Sequence, residues 1–325
     1  MKRLVDDMFA GEERYGTTYA VVIVHRGEVV AERYGGALPH FDRPPEPVTP
    51  ATPLLSWSMA NSILHAAVGV LVGDGRLDIE ARAAVPEWAD PADPRHDVTL
   101  DQLLAMRDGL DFAEVYTDDR RSNVIEMLFG SGQHDVAAYA ASRPLAHAPG
   151  TTFNYSSGTS NILARIVGDV VGRGVDYEQF LRSAIFDPIG MTTALPRFDD
   201  AGNFIGSSYV YATARDFARF GRLSLRDGVT DDGTRILPEG WVAHGTTPRS
   251  SDPEDGRVYG AHWWVVGDDL GSFWASGYEG QSILVCPPLD LVAVRLGRST
   301  EAHVAALTEW RSLVVESVSG AGPTE

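Results

Sequence analysis

The sequence predicts an α/β (α+β) fold, in which an antiparallel sheet with flanking helices is built from both chain ends and a helical lobe is inserted between them. Strand-like runs lie near the two ends, whereas residues 77–196 give helical or loop signals. The 325 residues suffice for one large domain or two interleaved lobes. We expect residues 1–65 and 205–325 to form the sheet-containing domain, residues 66–204 to form the inserted lobe, and an active-site cleft to lie between them.

The first part of the chain predicts a helix-forming segment, a hairpin and then a buried helix. Two β-rich runs in "TYAVVIVHRGEVVAERYG" flank Arg26-Gly27, which is typical of a hairpin. The next stretch, "ALPHFDRPPEPVTPATP", is too rich in proline for a helix or a central strand. Apolar residues then recur at helical spacing in "SWSMANSILHAAVGVLVGDG", and its glycines end the helix.

The remaining elements follow from capping residues, apolar periodicity and glycine stops. A Thr99 N-cap opens one helix and Thr213 opens another. Further helices are predicted in "SNVIEMLFG", "DVAAYAASRPL", "GTSNILARIVGDVVG", "YEQFLRSAIFDPIG" and the closing "EAHVAALTEWRSLVVESV". Late strands are predicted in "GAHWWVV", "SFWASG", "SILVCPP" and "DLVAVRLG".

Composition argues against several classes of partner. The formal charge of −18, from 27 basic and 45 acidic residues, disfavours nucleic acid and anionic lipid. The single cysteine, Cys286, cannot form a disulfide within the chain or a cysteine-based metal site, and we expect it to be a buried thiol. The chain start has no apolar signal region, and no stretch reaches 18 apolar residues. We therefore expect a cytoplasmic protein without a metal or cofactor.

Three separated stretches could carry one chemistry. Ser58 and Asn61 lie three residues apart near the start of a helix, where backbone dipoles favour negative charge beside a serine oxygen. In "FNYSSGTSN", the hydroxyls of Tyr155 and Ser157 can line one side of a pocket as proton shuttle and hydrogen-bond donor. In "WASGYEGQ", glycines allow a strand edge to approach a ligand closely. Each stretch alone is more simply a helix cap, a turn or a loop, so only their combination favours catalysis.

These motifs resemble those of the serine β-lactamase-like and penicillin-binding-protein-like hydrolases, in particular the branch of class C-like esterases, D-aminopeptidases and 6-aminohexanoate-dimer hydrolases. The resemblance runs from about residue 21 to residue 297 and includes "LLSWSMANS", "PGTTFNYSSGTSNILARIVG", "GSSYVYATARDFARFG" and "GYEGQ". It implies Ser58 as nucleophile, Tyr155 as proton shuttle and Ser157 as a substrate-positioning residue. It further implies an oxyanion hole formed by the backbone N–H groups of Ser58 and Tyr278, and a sheet-plus-helical-lobe fold.

The third motif of the family, K-T-G, H-x-G or a relaxed variant, matches Ala275-Ser276-Gly277 here. The alanine offers no cation to a carboxylate-bearing substrate. The resemblance therefore implies an esterase or amidase acting on a small, uncharged or short acyl compound rather than a true β-lactamase.

The chain departs from the family at Asn61, which takes the place of the lysine in S-x-x-K. A neutral amine accepts the serine proton, but an amide cannot. Loss of a general base lowers rates by roughly a hundred- to ten-thousand-fold. Two hypotheses follow: a serine hydrolase whose activity is strongly impaired, or a non-catalytic protein that binds a small ligand or peptide in the same cleft.

Other sequence features give weaker signals. There is no G-x-S-x-G, G-x-G-x-x-G, P-loop or H-E-x-x-H motif. His65 lies seven residues after Ser58, roughly 10 Å along the helix, so a packed histidine is a better interpretation than a substitute base. Tyr116 and Tyr209 are candidates for the substrate pocket or for plain packing.

Overall fold

The computed structural model describes residues 1–39, 44–116 and 122–320. Its strands, in chain order, are β1 (Thr17–His25), β2 (Glu28–Tyr34), β3 (Ala37–Leu38), β4 (Glu46–Pro47), β5 (Leu54–Leu55), β6 (Leu195–Pro196), β7 (Val210–Ala212), β8 (Ser250–Ser251), β9 (Val258–Tyr259), β10 (Trp264–Val265), β11 (Phe273–Gly277), β12 (Gln281–Cys286) and β13 (Leu291–Arg298). The predicted hairpin is confirmed, because β1 and β2 are antiparallel neighbours.

The main sheet is antiparallel and joins the two ends of the chain. Its eight strands run in the order β2-β1-β13-β12-β11-β10-β9-β8, with β1 from the N-terminal part paired to β13 from the C-terminal part. Two short ladders lie outside it, β3-β4 and β5-β7-β6. The predicted class, a mixed fold with a large antiparallel sheet and flanking helices, is confirmed.

Helices cover both faces of this sheet and fill the middle of the chain. They are α1 (Lys2–Ala10), α2 (Glu12–Tyr15), α3 (Ala60–Gly73), α4 (Leu100–Leu104), α5 (Asn123–Phe129), α6 (Val136–Ala141), α7 (Ser157–Val171), α8 (Val175–Leu181), α9 (Ala214–Leu225), α10 (Trp241–Thr246) and α11 (Val304–Ser319). Thr99 caps α4 in a reciprocal capping box with Gln102, and Thr213 caps α9, as the sequence predicts.

Consecutive apolar residues of the strands point alternately to the two faces of the sheet and so contribute to two cores. In β1, Val22 and Val24 pack in the core shared with α3, α7 and α9, whereas Val21 and Ile23 pack in the core beneath α1 and α11. Gly221 of α9 lets that helix approach the sheet, since a Cβ there would lie 2.6 Å from Cγ1 of Val292. The sheet is therefore buried on both faces.

One predicted strand is much shorter than expected. Only Trp264 and Val265 of "GAHWWVV" pair with neighbouring strands. His262 instead takes a left-handed conformation, with φ of 58°, and its carbonyl accepts a hydrogen bond of 2.7 Å from the Ser62 hydroxyl of α3. This segment therefore links the sheet to the helices. Cys286 is a buried free thiol, as expected.

Helices α4 to α8 belong to the stretch predicted as the inserted lobe, residues 66–204, which also contains residues outside the described part of the chain. The proline-rich connection likewise lies partly outside it. The proposed domain boundaries remain a prediction. In the described ranges, no helix combines the length and apolar character that a membrane crossing requires.

Candidate active site

Ser58 lies in a short 3-10 turn, Trp57–Met59, that leads directly into α3. The turn is anchored by the buried Ser56, whose hydroxyl accepts a hydrogen bond of 3.1 Å from the amide of Val210 in β7. The residue before Ser58, Trp57, has a φ of 45°, in the left-handed region that non-glycine residues rarely adopt. Its ring packs against Tyr278 and Tyr209, which holds this strained conformation in place.

Asn61 lies on the first turn of α3 and is almost completely buried. Its Nδ2 donates a hydrogen bond of 2.8 Å to the Tyr155 hydroxyl. Its Oδ1 is also buried and has no hydrogen-bond partner among the described residues. The Ser58 side chain lies close enough to the same tyrosine to lower its pKa. The structure therefore brings Ser58, Asn61 and Tyr155 together, as the sequence predicts, although it leaves half of the Asn61 amide unsatisfied.

The environment of Tyr155 favours the neutral phenol. Its ring stacks on Trp264, with 5.6 Å between centroids, and meets the edge of Tyr259. Burial is the main reason that the Tyr155 pKa is raised, and the charge of Glu114 raises it further. The nearby Ser58 side chain, the charge of Arg257 and the hydrogen bond from Asn61 oppose this rise in pKa only in part. Tyr155 alone is therefore a weak proton acceptor at neutral pH.

Ser157, the first residue of α7, is held by a carboxylate that the sequence does not single out. The Ser157 hydroxyl donates to Oε1 of Glu114 at 2.6 Å, and its backbone N–H donates to Oε2 at 2.8 Å. The Tyr116 hydroxyl also donates to Oε1, at 2.6 Å. Burial raises the pKa of Glu114, whereas these three hydrogen bonds favour its charged form. Glu114 thus organises one wall of the site.

The end of β11 forms the opposite wall. Strand β10 pairs with β11 only as far as Trp274, so residues 275–277 expose one edge to the turn that carries Ser58. A Cβ at Gly277 would overlap the backbone oxygen of Ser56, so only glycine permits this approach. Pairing with β12 ends at Gly277, and Tyr278 follows in the connecting turn. Both residues therefore lie beside the turn that carries Ser58, where they approach Ser56 and Trp57.

Tyr278 also connects the two walls. Its ring stacks on Tyr116 with 4.5 Å between centroids and meets Trp57 edge-on at 5.5 Å. Because Tyr278 is 43% exposed, these rings form an aromatic surface at the rim of the site. Both tyrosines named in the sequence as pocket candidates lie here, since Tyr209 also contacts Trp57.

Buried polar side chains hold the turn that contains Tyr278 through hydrogen bonds to its backbone carbonyl groups. Arg295 of β13 donates to the carbonyl oxygens of Glu279 and Gly280 at 3.0 and 3.1 Å. Gln281 donates to the carbonyl oxygen of Tyr278 at 3.0 Å. Burial lowers the pKa of Arg295 to about 10. No local sequence signal indicates the Arg295 contacts, because Arg295 lies on a neighbouring strand, 16 and 15 positions from Glu279 and Gly280.

His65 is packed, as the sequence favours, and does not serve Ser58. Its buried ring stacks on Trp241 with 4.7 Å between centroids and lies 3.4 Å from a ring nitrogen of His244. Burial lowers its pKa well below the ordinary histidine value. Throughout the described ranges, no cluster of three or more histidine, cysteine, aspartate or glutamate side chains is arranged to hold a metal ion.

A serine at the start of a buried helix, a tyrosine hydroxyl beside it and a glycine-containing sheet edge along it define a site of the serine acyl-transfer class. The family model described as Beta-lactamase matches residues 3–315. The chain therefore belongs to the beta-lactamase family, whose members are serine hydrolases.

Proteins similar to this chain include a hydrolase, a penicillin-binding protein homologue and a carboxylesterase. The 6-aminohexanoate-dimer hydrolase of Paenarthrobacter ureafaciens is 28% identical over 302 residues, covering 86% of this chain and 72% of that protein. The octameric penicillin-binding protein homologue from Pyrococcus abyssi has a similar structure, with a TM-score of 0.73 and 18% identity over 97% of this chain and 76% of its own. A family VIII carboxylesterase has a TM-score of 0.72 and 20% identity, covering 96% of both chains.

Proposed function

We propose that this protein is a serine hydrolase that cleaves small ester or amide substrates through an acyl-enzyme on Ser58, with activity strongly impaired by Asn61. The observation that carries the proposal is the placement of Ser58 near the Tyr155 hydroxyl, to which Asn61 donates a hydrogen bond of 2.8 Å, beside the Gly277 strand edge. The Oγ atom of Ser58 would attack the carbonyl carbon of the substrate. The backbone N–H groups of Ser58 and Tyr278 would bind the oxyanion.

We expect the substrate to be an uncharged or short acyl compound. The Ala275 side chain is buried and presents no cation. The exposed part of the rim is instead formed by the aromatic rings of Trp57, Tyr116 and Tyr278. One relative is a 6-aminohexanoate-dimer hydrolase, so a linear amide is a suitable second probe beside a p-nitrophenyl ester.

A second candidate is a non-catalytic protein that binds a small ligand in the same cleft. Asn61 favours this alternative, because an amide cannot accept the serine proton and its Oδ1 lacks a partner among the described residues.

An assay of p-nitrophenyl acyl ester hydrolysis distinguishes the two candidate functions. It compares the native protein with its Asn61→Lys variant and uses Ser58→Ala as the blank. We expect Asn61→Lys to raise kcat/KM by about a hundred- to ten-thousand-fold, and Ser58→Ala in that background to abolish turnover. A lysine variant as inactive as the blank would contradict the hydrolase proposal. Intact-mass detection of an acyl adduct on Ser58 gives an independent readout.

A further inference from the structure

Asn154, the residue before Tyr155, is tied to the segment that follows α4. Its backbone N–H donates a hydrogen bond of 2.9 Å to the carbonyl oxygen of Met106. Its side-chain Nδ2 donates to the carbonyl oxygens of Leu110 at 3.3 Å and of Phe112 at 3.0 Å. These hydrogen bonds fix the backbone from which the Tyr155 side chain extends.

The carbonyl oxygens that accept these hydrogen bonds belong to residues packed in the interior. Met106 is completely buried in the core beneath α1 and α11, and its backbone is left-handed, with a φ of 56°. Leu110 and Phe112 are buried in the core shared with α3, α7 and α9. The segment is therefore anchored in both cores, and packing sets the positions of the acceptors that it offers to Asn154.

The same segment also holds the chain on the other side of Tyr155. The Asp108 carboxyl group accepts hydrogen bonds from the Leu110 N–H, at 2.9 Å, and from the Thr159 hydroxyl of α7. Asp108 and Thr159 are both buried. The motif that contains the tyrosine is thus attached to one segment at both ends, through Asn154 before it and through Thr159 after it.

We propose that Asn154 is a positioning residue, whose side-chain amide sets the place of the Tyr155 hydroxyl relative to the proposed nucleophile, Ser58. This role depends on the proposed hydrolase function. Stacking on Trp264 limits the tilt of the Tyr155 ring but allows offset arrangements, so it leaves displacement along the ring plane open. The hydrogen bonds of Asn154 to buried carbonyl groups restrict that displacement.

The first test measures geometry and does not depend on turnover. It is a crystal structure of Asn154→Ala in the native chain, which removes the two side-chain hydrogen bonds but keeps the backbone N–H. We expect the Tyr155 hydroxyl to move by about 1 Å, a displacement that can cost roughly a hundredfold in rate. The hydrogen bond of 2.8 Å from Asn61 should be lost as a result. A tyrosine hydroxyl that keeps its place would overturn the inference.

The second test measures the reaction in the Asn61→Lys background, where the base is restored. We expect Asn154→Ala to lower kcat for a p-nitrophenyl acyl ester by about a hundredfold and to leave KM nearly unchanged, because Tyr155 serves proton transfer rather than substrate binding. Asn154→Asp keeps the shape of the side chain, but an ionised carboxylate cannot donate to the two carbonyl oxygens. It should match Asn154→Ala at neutral pH. As the pH falls and the new carboxyl group becomes a donor, it should recover activity relative to Asn61→Lys at the same pH.

Asn203 provides a matched control. Its buried side chain also donates two hydrogen bonds, to Asp135 at 3.1 Å and to Asp199 at 2.9 Å, and it lies in the connection between β6 and β7, which contains none of the proposed catalytic residues. We expect Asn203→Ala to lower the free energy of unfolding, as Asn154→Ala does, but to leave kcat unchanged.

Two kinetic outcomes would contradict the role of Asn154. One is an equal fall in kcat for the alanine variants of Asn154 and Asn203, which would follow from lost stability alone. The other is a raised KM with an unchanged kcat in Asn154→Ala. If Asn61→Lys is itself inactive, the proposed function fails, and the position of the Tyr155 hydroxyl in the crystal still decides whether Asn154 places it.

Discussion

The Asn61 amide donates a hydrogen bond of 2.8 Å to the Tyr155 hydroxyl, while its own Oδ1 is buried without a partner among the described residues. The amide therefore stands where the proposed mechanism needs a proton acceptor, next to the proposed nucleophile Ser58, but an amide cannot accept that proton. Four predictions test the arrangement around this pair.

The Tyr155 hydroxyl is predicted to take part in proton transfer to and from Ser58. Tyr155→Phe keeps the ring that stacks on Trp264 but removes the group that contacts both Ser58 and Asn61. We expect kcat/KM for a p-nitrophenyl ester to fall by about a hundredfold in the Asn61→Lys background. Tyr34→Phe on the edge strand β2 is the control, and equal rates for the two variants would refute the role of Tyr155.

Gly277 is predicted to set the distance between the strand edge and the turn that carries Ser58. Its replacement by alanine would push the new Cβ against the backbone oxygen of Ser56. We expect the free energy of unfolding to fall by about 2 kcal/mol and acylation of Ser58 to slow, because overpacking displaces one wall of the site. Chemical denaturation and the rate of adduct formation measure these effects. Gly320→Ala, where an added Cβ has no neighbour within 4 Å, should change neither.

Arg295 is predicted to stabilise the turn that bears Tyr278. Replacing it with leucine would leave the carbonyl oxygens of Glu279 and Gly280 without this buried donor. We expect a loss of about 2–4 kcal/mol in the free energy of unfolding, measured by urea denaturation. Arg298→Leu provides the comparison, because that side chain is 64% exposed and its ion pair with Glu279 should contribute less than about 1 kcal/mol. Equal losses would contradict the prediction.

His262 is predicted to make stability depend on pH. Its buried ring lies 2.8 Å from the Leu104 carbonyl oxygen and 3.2 Å from the Ser160 hydroxyl, and burial lowers its pKa to about 4. In the unfolded chain an ordinary histidine titrates near ~6.5. Between these values the unfolded state binds more protons, so stability is fully present above the unfolded pKa and is lost as pH falls toward about 4. The loss attributable to His262 is roughly 3 kcal/mol.

This pH dependence can be measured by urea denaturation from neutral pH downward. His262→Asn suits the left-handed backbone, since asparagine tolerates a positive φ better than most residues. We expect this variant to be less stable at neutral pH but to lose less stability on acidification. His147→Asn, at an exposed position, should follow the native curve. A native slope that persists in His262→Asn would assign the effect to other groups.

Local sequence patterns were enough to predict most elements of the fold. The β-rich runs of β1 and β13, the Thr99 and Thr213 caps and the turn at Arg26-Gly27 all act through neighbouring residues, and the structure has each of them. The prediction of a full strand in "GAHWWVV" was wrong. The backbone of His262 is left-handed there and is held by contacts to α3 and α4, which are distant in sequence. The contacts of Arg295 with the carbonyl oxygens of Glu279 and Gly280 could not be predicted for the same reason, because these residues are distant in sequence.

For the site, the sequence by itself determined which chemical groups are available: a serine and an asparagine one helical turn apart, a tyrosine followed by a serine, and a strand end whose glycine admits close approach. Their spacing within each motif is local and can be read from the chain. Only the tertiary structure decided that Tyr155 meets Asn61, that Gly277 lies against Ser56, and that Glu114 holds Ser157. These contacts join residues 43 to more than 200 positions apart, so they arise from the packing of helices against the sheet rather than from any local preference.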